Sequence, residues 1–236
     1  MEKKKNNKKK YLALLLALFV CAGGTMAWLT STSQLTNTFT VGRFTPIDKE
    51  NQGPTNDENW EENKDKEYKL KGNLYEPHWE PDPTIAPGST VTKDPYVGIG
   101  PGSEDAYVYV MVKNEMKNVY FTINNEWQPV EDNYEKGPKN STYTQGLFKY
   151  TPILEGKELD NSWSTALFTE VKVHQNATYK DLTGKEQQDK KEKETKNIYV
   201  QSFIHQKNSE DSTNLDNIAK TKAIETYKNW NPTKGE

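Results

Sequence analysis

Ala106-Tyr107-Val108-Tyr109-Val110-Met111-Val112 is a run of seven residues with no charge, glycine or proline. β-Branched and aromatic side chains fit a pleated surface, and successive side chains of a strand point to opposite faces. Val108, Val110 and Val112 therefore share one face, and Tyr107, Tyr109 and Met111 the other. Both faces are largely apolar. This predicts a central strand, covered on one side by an opposing sheet and on the other partly by loops.

The flanking sequence extends the β pattern. Gly98-Ile99-Gly100-Pro101-Gly102 has the look of a phosphate-binding loop. A dinucleotide fingerprint requires a helix opening at its third glycine. Here Ser103-Glu104-Asp105 leads into the strand at Ala106, so the glycines read as a hairpin connection. Further strands are expected at Tyr68–Lys71, from Thr90 to near Val97 after the Pro87-Gly88 turn, and at Val119–Ile123, Leu147–Thr151, Ala166–His174 and Asn197–His205. Gly72 to Pro83, with Tyr75, Pro77, His78, Trp79 and Pro81, reads as an ordered non-helical excursion. Polar loops are expected at 124–146 and 175–196, the latter carrying the solvated run Lys185–Lys196. Residues 46–67 form an acidic loop with little to bury apart from Trp60. Asn56, Asp57, Glu58, Glu61 and Glu62 do not stand in the order of a calcium loop, so hydration explains them.

Near the end, Thr213-Asn214-Leu215-Asp216 reads as a helix cap. Leu215, Ile218, Ala219, Ala223, Tyr227 and Trp230 follow at mostly helical spacing, with Lys220, Lys222, Glu225 and Lys228 left in water and Pro232 ending the helix. The expected fold is mainly β: an antiparallel sandwich over 68–210, long polar loops, an amphipathic helix over 211–231 and an N-terminal signal helix.

The 236 residues carry 31 Lys and Arg against 34 Asp and Glu, a net charge of −3. Residues 1–27 hold six of those lysines and Glu2, which leaves 25 basic and 33 acidic side chains beyond Ala27, or −8. Nucleic-acid binding normally needs a basic face that neutralises phosphates, so no nucleic-acid partner is expected. Charge repulsion favours solubility until something specific drives association. Mean hydropathy is low at −1.00, but 13 tyrosines and six tryptophans compensate, because each large ring buries about 150–250 Å². One aromatic-rich domain fits better than a two-domain enzyme.

At the N-terminus, six lysines within the first ten residues precede an uncharged apolar run from Tyr11 to Ala22 and then Gly23-Gly24-Thr25-Met26-Ala27. This is the layout of a secretory signal peptide over 1–27, with small residues at Thr25 and Ala27 placing the cut between Ala27 and Trp28. An uncleaved anchor is the other reading, since no charge appears from Tyr11 to Gly42. A bilayer span takes about 20 apolar residues, and Gly23, Gly24 and Thr25 dilute this segment well before that. Cys21, the only cysteine, lies in the apolar run behind Val20, which is not the small residue a lipoprotein site needs. A chain cut after Ala27 has neither disulfides nor thiolate chemistry, which suits export by a Gram-positive bacterium. Beyond the cut, Leu35, Phe39 and Val41 share one face of a possible strand within residues 28–45. That segment either enters its own sheet as a first strand or adds itself to a neighbour's sheet.

Gly23-Gly24-Thr25-Met26-Ala27-Trp28, followed by Leu35-Thr36-Asn37-Thr38-Phe39-Thr40-Val41-Gly42, resembles the signal and mature start of the TasA/camelysin family. Ala86-Pro87-Gly88-Ser89-Thr90-Val91-Thr92-Lys93-Asp94, with the run 106–112, is similar to that family's first core hairpin. The resemblance covers residues 8–45 and 84–114. It implies a jelly-roll-like sandwich and release by a SipW-type signal peptidase. It also implies a secreted structural protein of the biofilm matrix or a cell-surface fibre. The implied partners are copies of the same chain and other matrix proteins, with membrane contact only before cleavage.

Camelysin-like relatives are described as metallopeptidases, which makes the three histidines, His78, His174 and His205, worth weighing. None forms H-E-x-x-H, whose spacing sets two imidazoles on one metal. No G-x-S-x-G elbow occurs either. No catalytic residue, cofactor or metal ligand is therefore expected, and two rival readings stand beside the fibre protein. One is a secreted peptidase using His174 or His205. The other is a monomeric adhesin or binding module using the aromatic loop 75–83, with Trp79 at its centre. The fold reading itself is open to test at Val110. Val110→Asp is expected to bury an unpaired carboxylate and cost well above ~3 kcal/mol in denaturant unfolding; an unchanged midpoint would contradict a central strand.

Overall fold

The computed structural model describes residues 30–32, 44–55, 57–80, 83, 85–184, 186, 196–207 and 212–232. Twelve strands are described: β1 (Thr30–Thr32), β2 (Leu70–Lys71), β3 (Leu74–Tyr75), β4 (Thr90–Thr92), β5 (Tyr96–Ile99), β6 (Ala106–Asn114), β7 (Val119–Thr122), β8 (Trp127–Lys136), β9 (Thr142–Tyr150), β10 (Ser162–Trp163), β11 (Glu170–Val173) and β12 (Ile198–Gln206). Three helices accompany them: α1 (Trp60–Asn63), α2 (Tyr179–Thr183) and α3 (Ser212–Asn229). All strand pairings are antiparallel. The larger sheet runs β1-β12-β6-β9-β7-β11-β4, with β8 on the other edge of β9, and it curls into a half-barrel. The smaller sheet runs β10-β5-β3-β2. The chain is mainly β, with the two sheets packed as a sandwich.

β6 stands at the centre, between β12 and β9. Val108, Val110 and Val112 are completely buried, and their cluster takes Phe121 and Phe148 from the same sheet and Leu74, Val97 and Ile99 from the smaller one. Tyr107, Tyr109 and Met111 face the other way and pack against Leu215, Ala219, Ala223 and Trp230 of the α3 segment. The second face is thus covered by the C-terminal helix, and the expectation of loops there is corrected. Two alanines on the contact side let the helix backbone lie close to the tyrosine layer. Lys149 on β9 pairs with Asp216, and Lys113 donates to the carbonyl of Trp230, which ties both ends of the helix to the sheet. The helix opens at Ser212, so Thr213 lies in its first turn and not at the cap.

A third cluster lies on the outer side of the smaller sheet, where Leu74 and Val97 point inward and their neighbours Tyr75 and Tyr96 outward. Trp60 meets Tyr75 edge-on at 5.1 Å and Trp163 at 5.5 Å, and its Nε1 donates to the Asn51 carbonyl at 2.6 Å. The acidic segment 46–67 is therefore not a bare hydrated loop. It wraps over the sheet with Ile47 and Trp60 as buried anchors; Asp57 turns in to accept from the Tyr75 hydroxyl at 2.6 Å, and most of its other acidic side chains are exposed.

Several boundaries depart from the sequence reading. Thr90 to Val97 is two strands in different sheets, β4 and β5, parted at Lys93-Asp94-Pro95. Segments 86–94 and 106–112 are not paired with each other, since β4 pairs β11 and β6 pairs β12 and β9. Residues 98–102 join the two sheets and do not close a hairpin. Two of their glycines answer to close packing: a Cβ on Gly98 would sit 2.5 Å from the Trp163 ring, and one on Gly100 only 1.7 Å from the Pro46 carbonyl oxygen. Within the expected loop 124–146 lies β8, the longest strand, whose buried Trp127, Val130 and Asn133 break period two at a bulge. Asp132 takes φ 59 there, and Asn133 Nδ2 donates to the Glu131 carbonyl at 2.7 Å. Pro129 is tolerated because β8 pairs on one side only among the described residues. Helix α2, inside the expected loop 175–196, carries a complete capping box between Thr178 and Asp181 and closes at Gly184. Most of Lys185–Lys196 lies outside the described residues.

The glycine contacts give a direct comparison. Gly100→Ala is expected to cost about 3 kcal/mol, the upper range for overpacking. Gly102→Ala, with φ +69 and nothing within 4 Å of the new Cβ, is expected to cost only about 1 kcal/mol of backbone strain. Equal midpoints for the two variants in urea would contradict the packing of Pro46 on Gly100.

Candidate functional site

Among the described residues, β12 is paired along the whole of one edge and along three residues of the other. On its inner edge all nine residues pair with β6, from Ile198↔Asn114 to Gln206↔Ala106. On its outer edge Phe203, Ile204 and His205 pair with Thr32, Ser31 and Thr30 of β1. Residues 198–201 have no strand on that side among the described residues. An unpaired strand edge presents a row of N–H and C=O groups that another extended segment can complete. Because Phe203 faces α3 and Ile204 faces the sandwich core, the register of β12 is fixed, and so is the geometry of its edge.

The segment that fills part of this edge comes from just beyond the expected signal cut. Its far end is also held: Phe44 is buried in the main core, Thr45 N donates to Ser103 Oγ at 3.0 Å, and Gly100 N donates to the Thr45 carbonyl at 3.0 Å. The expected cleavage residues Ala27 and Trp28, and the expected donor residues Leu35, Phe39 and Val41, lie outside the described residues. The core residues Val108, Val110 and Val112 lie one layer behind the edge, on the strand that braces β12.

The three histidines are not brought together. His174 follows β11 and His205 lies on β12, and β6, β9 and β7 separate these strands in the sheet. His78 donates from Nδ1 to Asp94 at 2.6 Å. Among the described residues, no group of three His, Cys, Asp or Glu is arranged to hold a metal ion. His205 is fully buried, donates from Nδ1 to the Gln206 carbonyl at 2.9 Å, and stacks on Phe203. Burial, with the Lys222 ammonium adding to it, pulls its pKa below the ordinary 6.5.

The aromatic excursion organises a second region. Lys69 is buried and donates to the Pro77 carbonyl at 2.8 Å and to Glu80 at 2.6 Å. Lys93 is buried against Glu76 at 2.8 Å, with its ammonium 4.2 Å from the centre of the Trp79 ring. Burial raises the Asp94 carboxyl above its usual range, against the opposing pull of His78. These contacts fix the turn 76–80 and the indole it carries. Sequence reading singled out Trp79 but missed Lys93 and Glu76, because a buried ion pair between residues 17 apart has no local signature.

The chain matches no protein-family model, no curated protein and no solved structure.

His205 supplies a pH test. Its folded pKa is depressed, so below about 6.5 the unfolded chain takes up a proton that the folded chain refuses, and stability is lost as pH falls. The loss is at most about 1.4 kcal/mol per pH unit for one group. His205→Gln is expected to flatten the acid limb of the unfolding midpoint below about pH 6.5. An acid limb of the same slope in both proteins would remove His205 as its source.

Proposed function

We propose that this chain is a secreted structural protein of an extracellular matrix or cell-surface fibre, and that copies join by β-strand addition. The segment Trp28–Val41 is the donor, and the outer edge of β12 is the acceptor. The observation that carries the reading is the partial occupation of that edge: Thr30–Thr32 pair with three residues of a nine-residue strand. Within one chain the segment covers its own edge; between chains, the same antiparallel pairing made by a neighbour's segment can run further along Ile198–Gln201. Main-chain bonds supply affinity in such a joint, and alternate side chains supply specificity.

Removal of residues 1–27 acts as the switch in this reading, because it frees the donor from the membrane. The SipW-type peptidase implied by the family resemblance is the agent of that cut. The net charge of −8 beyond Ala27 keeps single subunits apart until donor and edge meet. The location that follows is the cell surface or the surrounding matrix. Other matrix proteins are partners of the same kind, able to offer an extended segment or an open edge.

Two measurements bear on this. N-terminal sequencing of the secreted protein is expected to begin at Trp28, and size-exclusion chromatography is expected to show high-mass species that grow with concentration. A form that begins at Leu35, and so lacks Thr30–Thr32, is expected to stay small and to give no fibres by electron microscopy. Unchanged fibres from that form would overturn strand donation.

A further inference from the structure

One end of the sandwich core is not filled. Between β7, β11 and the residues Trp79, Pro83 and Ile85 lies a partly enclosed cavity of about 150 Å³. Its deep side is formed by Val119, Val171 and Val173, which belong to the main core and are nearly fully buried. Its shallow side is formed by the half-buried Trp79 and Lys196, with the exposed Asn197 beside them. Lys93 lines the same space from beneath the indole. Of the described lining residues, two are cations and none is an anion.

We infer that this cavity binds a small amphipathic carboxylate, whose apolar body is about the size of one aromatic ring. An apolar cavity near this volume stays dry and accepts a benzene-sized guest. The valine floor offers no polar group to hold water, so displacing solvent by a ring is favourable there. The charge at the opening selects an anion. Lys93 is already matched by Glu76 at 2.8 Å, so the lining as a whole carries one ammonium more than that pair neutralises, at Lys196. A carboxylate at the mouth takes a charge-assisted hydrogen bond from that ammonium. The turn 76–80 is pinned by Lys69 and Glu76, so Trp79 is held in place before any guest arrives. Pre-formed walls lower the cost of binding. The lining reaches from β4 and β11 to Ile198 at the start of β12, so the cavity adjoins the near end of the proposed acceptor edge. Its walls all belong to one chain, and binding there does not require strand addition.

Phenylacetate and its uncharged match phenylacetamide are the probes, followed by saturation-transfer NMR on the whole chain. Phenylacetate is expected to bind saturably with a Kd of about 1 mM or below, within reach of a ten-atom ligand. Phenylacetamide is expected to bind about tenfold more weakly. Lys196→Gln removes a partly exposed side chain and is expected to keep the thermal unfolding midpoint while abolishing the tenfold preference. Lack of saturable binding of either probe, equal binding of both, or a preference that survives Lys196→Gln would each overturn the assignment. Lys93→Met is not the variant of choice, because it would strand the buried Glu76 carboxylate and unfold the turn that carries Trp79.

Discussion

The structure depends on one strand being buried on both faces. Each of Val108, Val110 and Val112 contributes about 1.5–3 kcal/mol by leaving water, so three together match a large part of a domain's net stability of about 5–15 kcal/mol. That gain exists only if a second layer covers the valines. The smaller sheet supplies it with Leu74, Val97 and Ile99. The tyrosines and methionine on the reverse need a further layer, and α3 supplies it with Leu215, Ala219, Ala223 and Trp230. Helix, curled sheet and small sheet are thus three layers demanded by a seven-residue sequence.

The same constraint shapes the candidate sites. β12 is braced by β6 along its whole length, so its outer edge is a rigid row of backbone groups. It also carries buried polar side chains, Gln201, Ser202 and His205, and a slip of one residue would exchange Phe203 and Ile204 between helix side and core side. An edge with one possible register is a good template for a strand from elsewhere. Beside Ile198 at the start of β12, the core leaves a cavity under the Trp79 turn, and the buried pair Lys93–Glu76 fixes that turn.

What was legible in the sequence follows from how local each cause is. The two faces of β6 were readable because period-two alternation is written in neighbouring residues, and the apolar face of α3 because its spacing is helical. β8 was hidden by its bulge at Asp132, which shifts the alternation halfway along. β3 and β10 have two residues each, too few to show a period. Gly98 and Gly100 signal a turn by composition, but their cause is the Trp163 ring and the chain segment 45–47 pressed against them. The edge strand at 197–205 was legible as a strand; which of its edges stays open is a property of the whole sheet. Trp79 stood out as an aromatic, whereas the cavity behind it gathers valines from β7 and β11, about 40–95 positions further along the chain, and no sequence window holds them together.

The most direct test of strand addition is amide hydrogen exchange across Ile198–Gln206, compared between dilute protein and the high-mass species. If a neighbour's segment seats on β12, the outward-facing amides of residues 198–201 gain protection on association, while those bonded to β6 are already protected in both. High-mass species that form with the exchange of residues 198–201 unchanged would contradict it.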